Sequence, residues 1–157
     1  MPFIDAFRAL NTLKRRKVIR DYVVIGAVAA TAYMEPIFTQ DLDVIVLVDT
    51  DDEYWRLLRH LAEVAERQEG MHYVFGGVPV QAFPTTTKPL YEDTLKGARQ
   101  ARLNGLRVKV ASAEHLVILF LEAFRTKDKL RVQHLLSLVK MEYLHSLLER
   151  FDDEAKT

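Results

Sequence analysis

The chain has 157 residues and a mass of 18.1 kDa, which suits one domain that buries a core without disulfides. Its 22 Lys and Arg residues balance 22 Asp and Glu residues, so excess positive charge cannot be its main source of affinity for nucleic acid or an anionic membrane. The absence of cysteine excludes disulfide frameworks, zinc ribbons and thiol chemistry. No apolar run reaches the length of a membrane span, and Arg8 interrupts the stretch where a signal peptide needs an apolar core, so we expect a cytoplasmic protein.

The first half of the sequence alternates between helical and strand patterns. The basic residues at 14–17 close the first predicted helix, and they are either a solvated helix end or a contact for phosphate or nucleic acid. Apolar spacing and β-branched runs predict a helix over 2–13, a strand over 22–25, a helix over 27–33, a strand over 41–48 and a helix over 54–68.

The second half begins with a hairpin and ends in helices. Gly76-Gly77 predicts a turn between strands over 71–75 and 78–83. Further predicted elements are a weak helix over 88–97, a hairpin or strand over 103–110 turning at Asn104-Gly105, and helices over 113–124, 127–140 and 142–151, the first capped by Ser112. The order predicts an α+β fold in one domain over 1–157. We expect a small mixed sheet flanked by helices to about residue 110, then a helical subdomain over about 111–151.

Asp41 and Asp43 are the most informative polar residues in the sequence. Residues two apart in a strand project from one face, so both carboxylates leave the same side of the sheet while Leu42 enters the core. Such a pair of carboxylates suits Mg²⁺, which prefers oxygen ligands. The alternative is a pair of exposed acids at a strand end.

Gly26 stands directly after the predicted strand over 22–25 and before a helix of small residues. A glycine at such a turn exposes backbone N–H groups at a helix N-terminus, where phosphates bind. The sequence therefore supplies both parts of a nucleoside triphosphate site: amides for phosphate and carboxylates for a metal.

These elements together resemble the signature of the DNA polymerase β-like nucleotidyltransferase superfamily. The matching residues are Ile25-Gly26-Ala27, a thirteen-residue gap, and Asp41-Leu42-Asp43-Val44. The segment from Thr39 to Asp43 is similar to the T-x-D-L-D motif of the abortive-infection toxin (AbiEii-type) branch. Residues similar to that branch's helical half are Val108-Lys109-Val110, Ser112, Glu114-His115-Leu116 and Arg125-Thr126-Lys127-Asp128. The resemblance spans about residues 20–145.

The resemblance implies a nucleotidyltransferase fold and a Mg²⁺-dependent transfer of a nucleotidyl group from an NTP to an acceptor hydroxyl. The acceptor could be RNA such as a tRNA end, a protein or a small molecule. Asp41 and Asp43 are the implied catalytic and metal-binding residues. The implied nucleotide-binding residues are Gly26, Ala27, Thr39, Arg125 and Lys127, and the implied further cleft residues are Gln81 and Asp128.

Gln81 departs from the superfamily pattern, which places a third carboxylate, often the general base, on the matching strand. A glutamine cannot act as a base at neutral pH. Two alternatives therefore stand beside the enzyme: a catalytically degenerate nucleotide- or partner-binding module of the same fold, and a component of a toxin–antitoxin system. Asp128 also has two interpretations, a cleft acid or the N-cap of a helix.

Other nucleotide and metal motifs are excluded. Val28 occupies the position where a dinucleotide-binding turn needs its second glycine. The sequence contains no G-K-[ST] and therefore no P-loop. Its five histidines do not have metal-ligand spacing.

Overall fold

The computed structural model describes residues 3–34, 39–103, 105–123 and 126–156, with 126–127 and 152–156 described by their backbone only. The helices are α1 (Ile4–Arg15), α2 (Gly26–Ala30), α3 (Asp51–Val64), α4 (Pro89–Lys96), α5 (Ala113–Ala123), α6 (Thr126–Leu136) and α7 (Met141–Lys156). The strands are β1 (Tyr22–Ile25), β2 (Leu42–Val46), β3 (Arg67–Glu69), β4 (His72–Phe75), β5 (Val78–Pro84), β6 (Arg99–Leu103) and β7 (Leu106–Val110). In these ranges no helix combines the length and apolar character needed to cross a bilayer.

The seven strands form one mixed sheet in the order β3-β4-β5-β2-β1-β7-β6. β2 is antiparallel to β1 and parallel to β5, and β1 is parallel to β7. The hairpins β3–β4, β4–β5 and β6–β7 are antiparallel. The predicted α+β class and mixed sheet are confirmed.

The core is centred on β2, the middle strand of the sheet. Leu42, Val44, Ile45 and Val46 have no exposed surface, so both faces of the strand are covered. This burial on both faces explains why the sequence is continuously apolar there instead of alternating. The prediction of a central strand within 41–48 is confirmed.

The turn between β4 and β5 is formed by two glycines. Gly76 and Gly77 have φ angles of +57° and +78°, a left-handed pair that suits glycine and matches the twist of a two-residue hairpin. The predicted Gly-Gly hairpin is confirmed. In the second predicted hairpin Gly105 has φ +79°, and Asn104 lies outside the described residues.

The helix predicted over 54–68 is wrong at both ends. Thr50 caps α3, because its hydroxyl oxygen accepts the N–H of Glu53 at 3.1 Å, so the helix begins at Asp51. It ends at Val64, and Gln68 lies in β3 instead. All three residues of β3 are exposed, so this edge strand carries no apolar alternation that the sequence could reveal.

The start of α5 is fixed by a buried hydroxyl. The Ser112 hydroxyl oxygen accepts the backbone N–H of His115 at 3.0 Å, which confirms the predicted cap. The same hydroxyl lies 2.6 Å from His115 Nδ1 and donates its proton there. His115 Nε2 then donates to Asp93 Oδ2 at 2.8 Å, and Arg150 donates to Asp93 Oδ1 at 2.8 Å. These bonds join α4, α5 and α7.

The His115 ring has no exposed surface, so it serves packing rather than exchange with solvent. Burial lowers the pKa of His115 and outweighs the hydrogen bond to Asp93, which raises it. Burial raises the pKa of Asp93, but hydrogen bonds from His115 and Arg150 outweigh that effect and leave the pKa below its usual value. Both groups therefore bind protons less readily in the folded chain than in the unfolded chain.

We expect acid to destabilise the fold through His115. Above the unfolded histidine pKa of about 6.5 the group is neutral in both states and contributes no pH dependence. Below it the unfolded chain takes up a proton that the folded chain refuses, so the free energy of unfolding falls by up to about 1.4 kcal/mol per pH unit. Urea unfolding between about pH 7 and pH 5 measures this slope.

The variant His115→Gln removes the titrating group and is expected to flatten the slope, although it lowers stability overall. His134→Gln is the matched control, because His134 is exposed on α6. Equal slopes in His115→Gln and the wild type would contradict the assignment.

Candidate functional site

Asp43 lies on the central strand β2 directly beside the end of β1. The antiparallel register pairs Ile25 with Asp43, so the next residue, Gly26, turns across the Asp43 side chain. Gly26 has φ +69°, and a Cβ on it would stand 3.1 Å from Asp43 Oδ2. Glycine is therefore required twice at this position, by the left-handed backbone and by the closeness of the carboxylate.

Gln81 is the lateral neighbour of Asp43 on the other side. In the parallel β2–β5 ladder Asp43 pairs with Gln81, and laterally paired residues project from the same face of a sheet. Both residues are half-buried. The structure thus brings together three residues that the sequence singled out separately: Gly26, Asp43 and Gln81.

Asp41 and Thr39 lie just before β2. Asp41 is exposed and precedes the first residue of the strand, and the Thr39 hydroxyl donates to the Asp41 carbonyl at 3.3 Å. Ala27 is half-buried and follows Gly26 in the first turn of α2. These residues surround the same end of β2 as Asp43.

The sequence did not reveal the aromatic and charged side chains that lie on the Asp43 face of the sheet. The Tyr91 ring packs edge-on against Phe83, with centroids 6.2 Å apart, and Lys88 Nζ lies 5.0 Å from the Tyr91 centroid. Lys88 also pairs with Glu122 Oε2 at 2.6 Å. Tertiary packing of α4 and the end of α5 creates this group, so no local motif could have indicated it.

The electrostatics of Tyr91 link this group to Asp43. Burial raises the pKa of the Tyr91 hydroxyl, Lys88 lowers it, and the carboxylates of Glu122 and Asp43 raise it further. Tyr91 therefore lies within the field of both acids. We call Lys88, Tyr91 and Glu122 the α4–α5 wall of the site.

The implied nucleotide-binding residues Arg125 and Lys127 and the implied cleft residue Asp128 are the last part of the predicted site. Arg125 lies outside the described residues, and Lys127 is described only by its helical backbone in α6. Asp128 is 1% exposed, and its Oδ1 accepts a hydrogen bond from Arg131 at 3.2 Å. Because α6 begins at Thr126, the interpretation of Asp128 as an N-cap is wrong.

The donor set at Asp43 suits a metal that brings other ligands with it. Within the described ranges no cluster of three or more His, Cys, Asp or Glu could hold a metal ion by itself. Mg²⁺ is commonly held by one or two carboxylates, with phosphate oxygens and water completing its octahedron. Asp41 and Asp43 fit that pattern, with Gln81 as a neutral neighbour.

Comparisons with known proteins show which solved structures share this fold. No family model and no curated protein sequence matches the chain. Among solved structures, an antigenic nucleotidyltransferase-like protein from Paracoccidioides brasiliensis aligns over 94% of this chain and 88% of its own, with 18% identity and a TM-score of 0.63. ANT(2")-Ia in complex with adenylyl-2"-tobramycin aligns over 95% and 96%, with 14% identity and a TM-score of 0.62. At such low identity the likeness shows the architecture alone, and the chain has the nucleotidyltransferase fold.

Proposed function

We propose that this protein transfers a nucleotidyl group from a nucleoside triphosphate to an acceptor hydroxyl. The observation that carries the proposal is the closeness of Gly26 to Asp43: the glycine turn leaves no free room for a Cβ beside a carboxylate on the central strand. The nucleotidyltransferase fold of the chain supports it. Neither a lone acid pair nor a lone glycine turn would support it as well, because the reaction needs both charge neutralisation and phosphate contacts.

The reaction exchanges a phosphoanhydride bond of the NTP for a phosphate ester bond to the acceptor. The acceptor oxygen attacks the α-phosphorus, the bond from that phosphorus to the bridging oxygen breaks, and pyrophosphate leaves with the electron pair. The acceptor proton passes to a base or to solvent. Catalysis of such a step is mainly positioning and stabilisation of negative charge.

Asp41 and Asp43 would hold Mg²⁺ in this proposal, and a bound Mg²⁺ would neutralise charge that develops on the phosphate oxygens. The backbone of Gly26 and Ala27 would contact phosphates beside them. The Thr39 hydroxyl would help to fix the backbone at Asp41 through its hydrogen bond to the Asp41 carbonyl. Arg125 and Lys127 remain proposed nucleotide contacts from the resemblance.

Gln81 favours a second candidate function, a nucleotide-binding module without transfer activity. It stands in register with Asp43, where the superfamily places a third carboxylate, and its amide cannot accept the acceptor proton at neutral pH. The two functions share nucleotide binding and differ only in the chemical step, so one variant at this position separates them.

The proposal also includes a class of acceptor and a branch of the superfamily. The complex of ANT(2")-Ia with adenylyl-2"-tobramycin supports a small-molecule acceptor for a chain of this architecture. The resemblance of the segment from Thr39 to Asp43 to the T-x-D-L-D motif supports the abortive-infection toxin branch and, with it, a role in a toxin–antitoxin system. A cytoplasmic setting stays a prediction from the sequence. Asp128 contributes less to that branch assignment, because its burial against Arg131 already accounts for it as a structural ion pair.

Replacing Asp43 by Asn should weaken binding of Mg²⁺-NTP by about tenfold or more, because a charge-assisted metal contact worth at least about 1.4 kcal/mol is lost. Isothermal titration with each Mg²⁺-NTP measures the affinity. Asp52→Asn is the control, because Asp52 is an exposed acid in the first turn of α3. Equal affinity in the wild type and Asp43→Asn would overturn the metal assignment.

Replacing Gly26 by Ala tests the contact that carries the proposal. The new Cβ meets Asp43 Oδ2 at 3.1 Å and also forces an unfavourable left-handed φ, so both stability and nucleotide affinity should fall. Gly70→Ala is a matched control: Gly70 has φ +60°, but a Cβ there has no atom within 4 Å. Subtracting the loss in Gly70→Ala, about 1 kcal/mol, leaves the effect of the carboxylate contact. Affinity that falls no further in Gly26→Ala than in Gly70→Ala would contradict the role of this turn.

Replacing Gln81 by Asp should raise the rate of pyrophosphate release, by as much as about 10²–10⁴-fold if a missing base limits the wild type. Gln81→Asn, which restores no carboxylate, is the control. Release that appears only in Gln81→Asp identifies the wild type as a binding module. Release in the wild type that falls in Gln81→Asp shows that glutamine is used productively, for instance to orient the acceptor.

A further inference from the structure

A cavity lies at the opposite end of β2 from Asp43. It has a volume of about 370 Å³ and lies between the end of α1, the residues after β2, and α3. Its apolar floor includes Val18, Leu47 and Leu57, and cationic side chains line it at Lys17, Arg20 and Arg56. Leu47 is four residues beyond Asp43, which is ~14 Å along a strand, so this cavity is separate from the proposed transfer site.

The charges around the cavity leave it positive. Arg20 pairs with Asp49 at 3.0 Å and with Glu53 at 3.2 Å, so these two acids face three cations when Lys17 and Arg56 are counted with Arg20. Lys17 and Arg56 are exposed and make no ion pair or side-chain hydrogen bond within the described part of the chain. Two cations are therefore available to a ligand above an apolar floor.

Lys17 is held in an unfavourable backbone conformation. Its φ is +62°, and among the described residues it is the only non-glycine with a positive φ. It ends α1 by the bonds Lys17 N–H to Lys14 carbonyl and Val18 N–H to Leu13 carbonyl, both 3.0 Å. Glycine is the usual residue at this position of such a helix end. Lysine at this position therefore introduces backbone strain that glycine would avoid. Unlike glycine, it also places an ammonium group at the cavity.

We propose that this cavity binds a small organic phosphate, with the phosphate between Lys17 and Arg56 and the organic group on the floor of Val18, Leu47 and Leu57. The volume falls in the range of small-molecule sites, which are mostly apolar with a few placed polar groups. Two cations match the two charges of a phosphomonoester, and a guanidinium can bind phosphate through two parallel hydrogen bonds. The phosphate could belong to a free nucleotide or to the 5′ end of an RNA. The proposal does not depend on the transfer reaction.

An NMR titration of the full chain with EDTA present, so that no divalent cation supports the Asp43 site, tests the proposal. The probes are inorganic phosphate, AMP, and an RNA hexamer with or without a 5′-phosphate. Phosphate and AMP should shift the amide signals of Val18, Leu47 and Val48 and leave that of Gly26 in place. A hexamer that binds more tightly than AMP only when it is 5′-phosphorylated identifies the RNA end as the source, and a phosphorylated hexamer that binds no more tightly than AMP identifies a free nucleotide.

Lys17→Gly separates binding from folding. It removes the cation and the backbone strain together, so AMP affinity should fall about tenfold while the Tm stays level or rises. Arg56→Ala should lower the affinity for AMP to a similar degree. Arg102→Ala is the control: it removes an exposed cation on β6 and should leave AMP binding unchanged.

Three results would overturn the proposal. The first is no shift of the cavity amides with millimolar phosphate or AMP. The second is AMP affinity in Lys17→Gly equal to that of the wild type. The third is a hexamer without a 5′-phosphate that binds as tightly as the phosphorylated hexamer and more tightly than AMP, which would mean that the surface binds an RNA backbone instead of a phosphomonoester.

Discussion

The closeness of the Gly26 turn to the Asp43 carboxylate constrains the rest of the site. A Cβ on Gly26 would stand 3.1 Å from Asp43 Oδ2, so any side chain there would press on the carboxylate, and the end of β1 and the middle of the sheet are coupled through one residue. The antiparallel pairing of Ile25 with Asp43 creates this closeness, and the parallel pairing of Asp43 with Gln81 extends it to β5. Three chain segments distant in sequence therefore meet on one face.

The polar face around Asp43 and the cavity at the other end of β2 differ in how their cations are paired. Lys88 is paired with Glu122 at 2.6 Å and lies over the Tyr91 ring, so its charge is largely compensated before any ligand arrives. An anionic nucleotide would meet a wall that is polar but nearly neutral, and its charge would be balanced mainly at Asp41 and Asp43 through a metal. The cavity lined by Lys17 and Arg56 has the opposite character, because its cations have no such partners among the described residues.

Strong local patterns in the sequence predicted most of the fold. The run from Leu42 to Val46, the Gly76-Gly77 turn and the Ser112 cap each act through backbone geometry or continuous burial, and each was predictable. The acid pair and Gly26 could be named from spacing, and Gln81 from the resemblance. The α4–α5 wall could not, because Lys88 and Glu122 are 34 residues apart and meet only through packing. The hydrogen-bonded chain from Ser112 through His115 and Asp93 to Arg150 could not be predicted for the same reason.

The two edge strands of the sheet, β3 and β6, are both rich in charged and polar residues, which affects how the sheet can associate with other chains. β3 reads Arg-Gln-Glu and is exposed throughout, and β6 begins Arg-Gln-Ala-Arg. Edge strands have unpaired backbone N–H and C=O groups with which a strand of another chain can form hydrogen bonds. Short length and charged side chains make that pairing unfavourable, so neither of these edge strands is a favourable template for a strand of another molecule. The weak apolar pattern that concealed β3 from sequence reasoning is therefore the same property that guards the molecule against strand-by-strand aggregation.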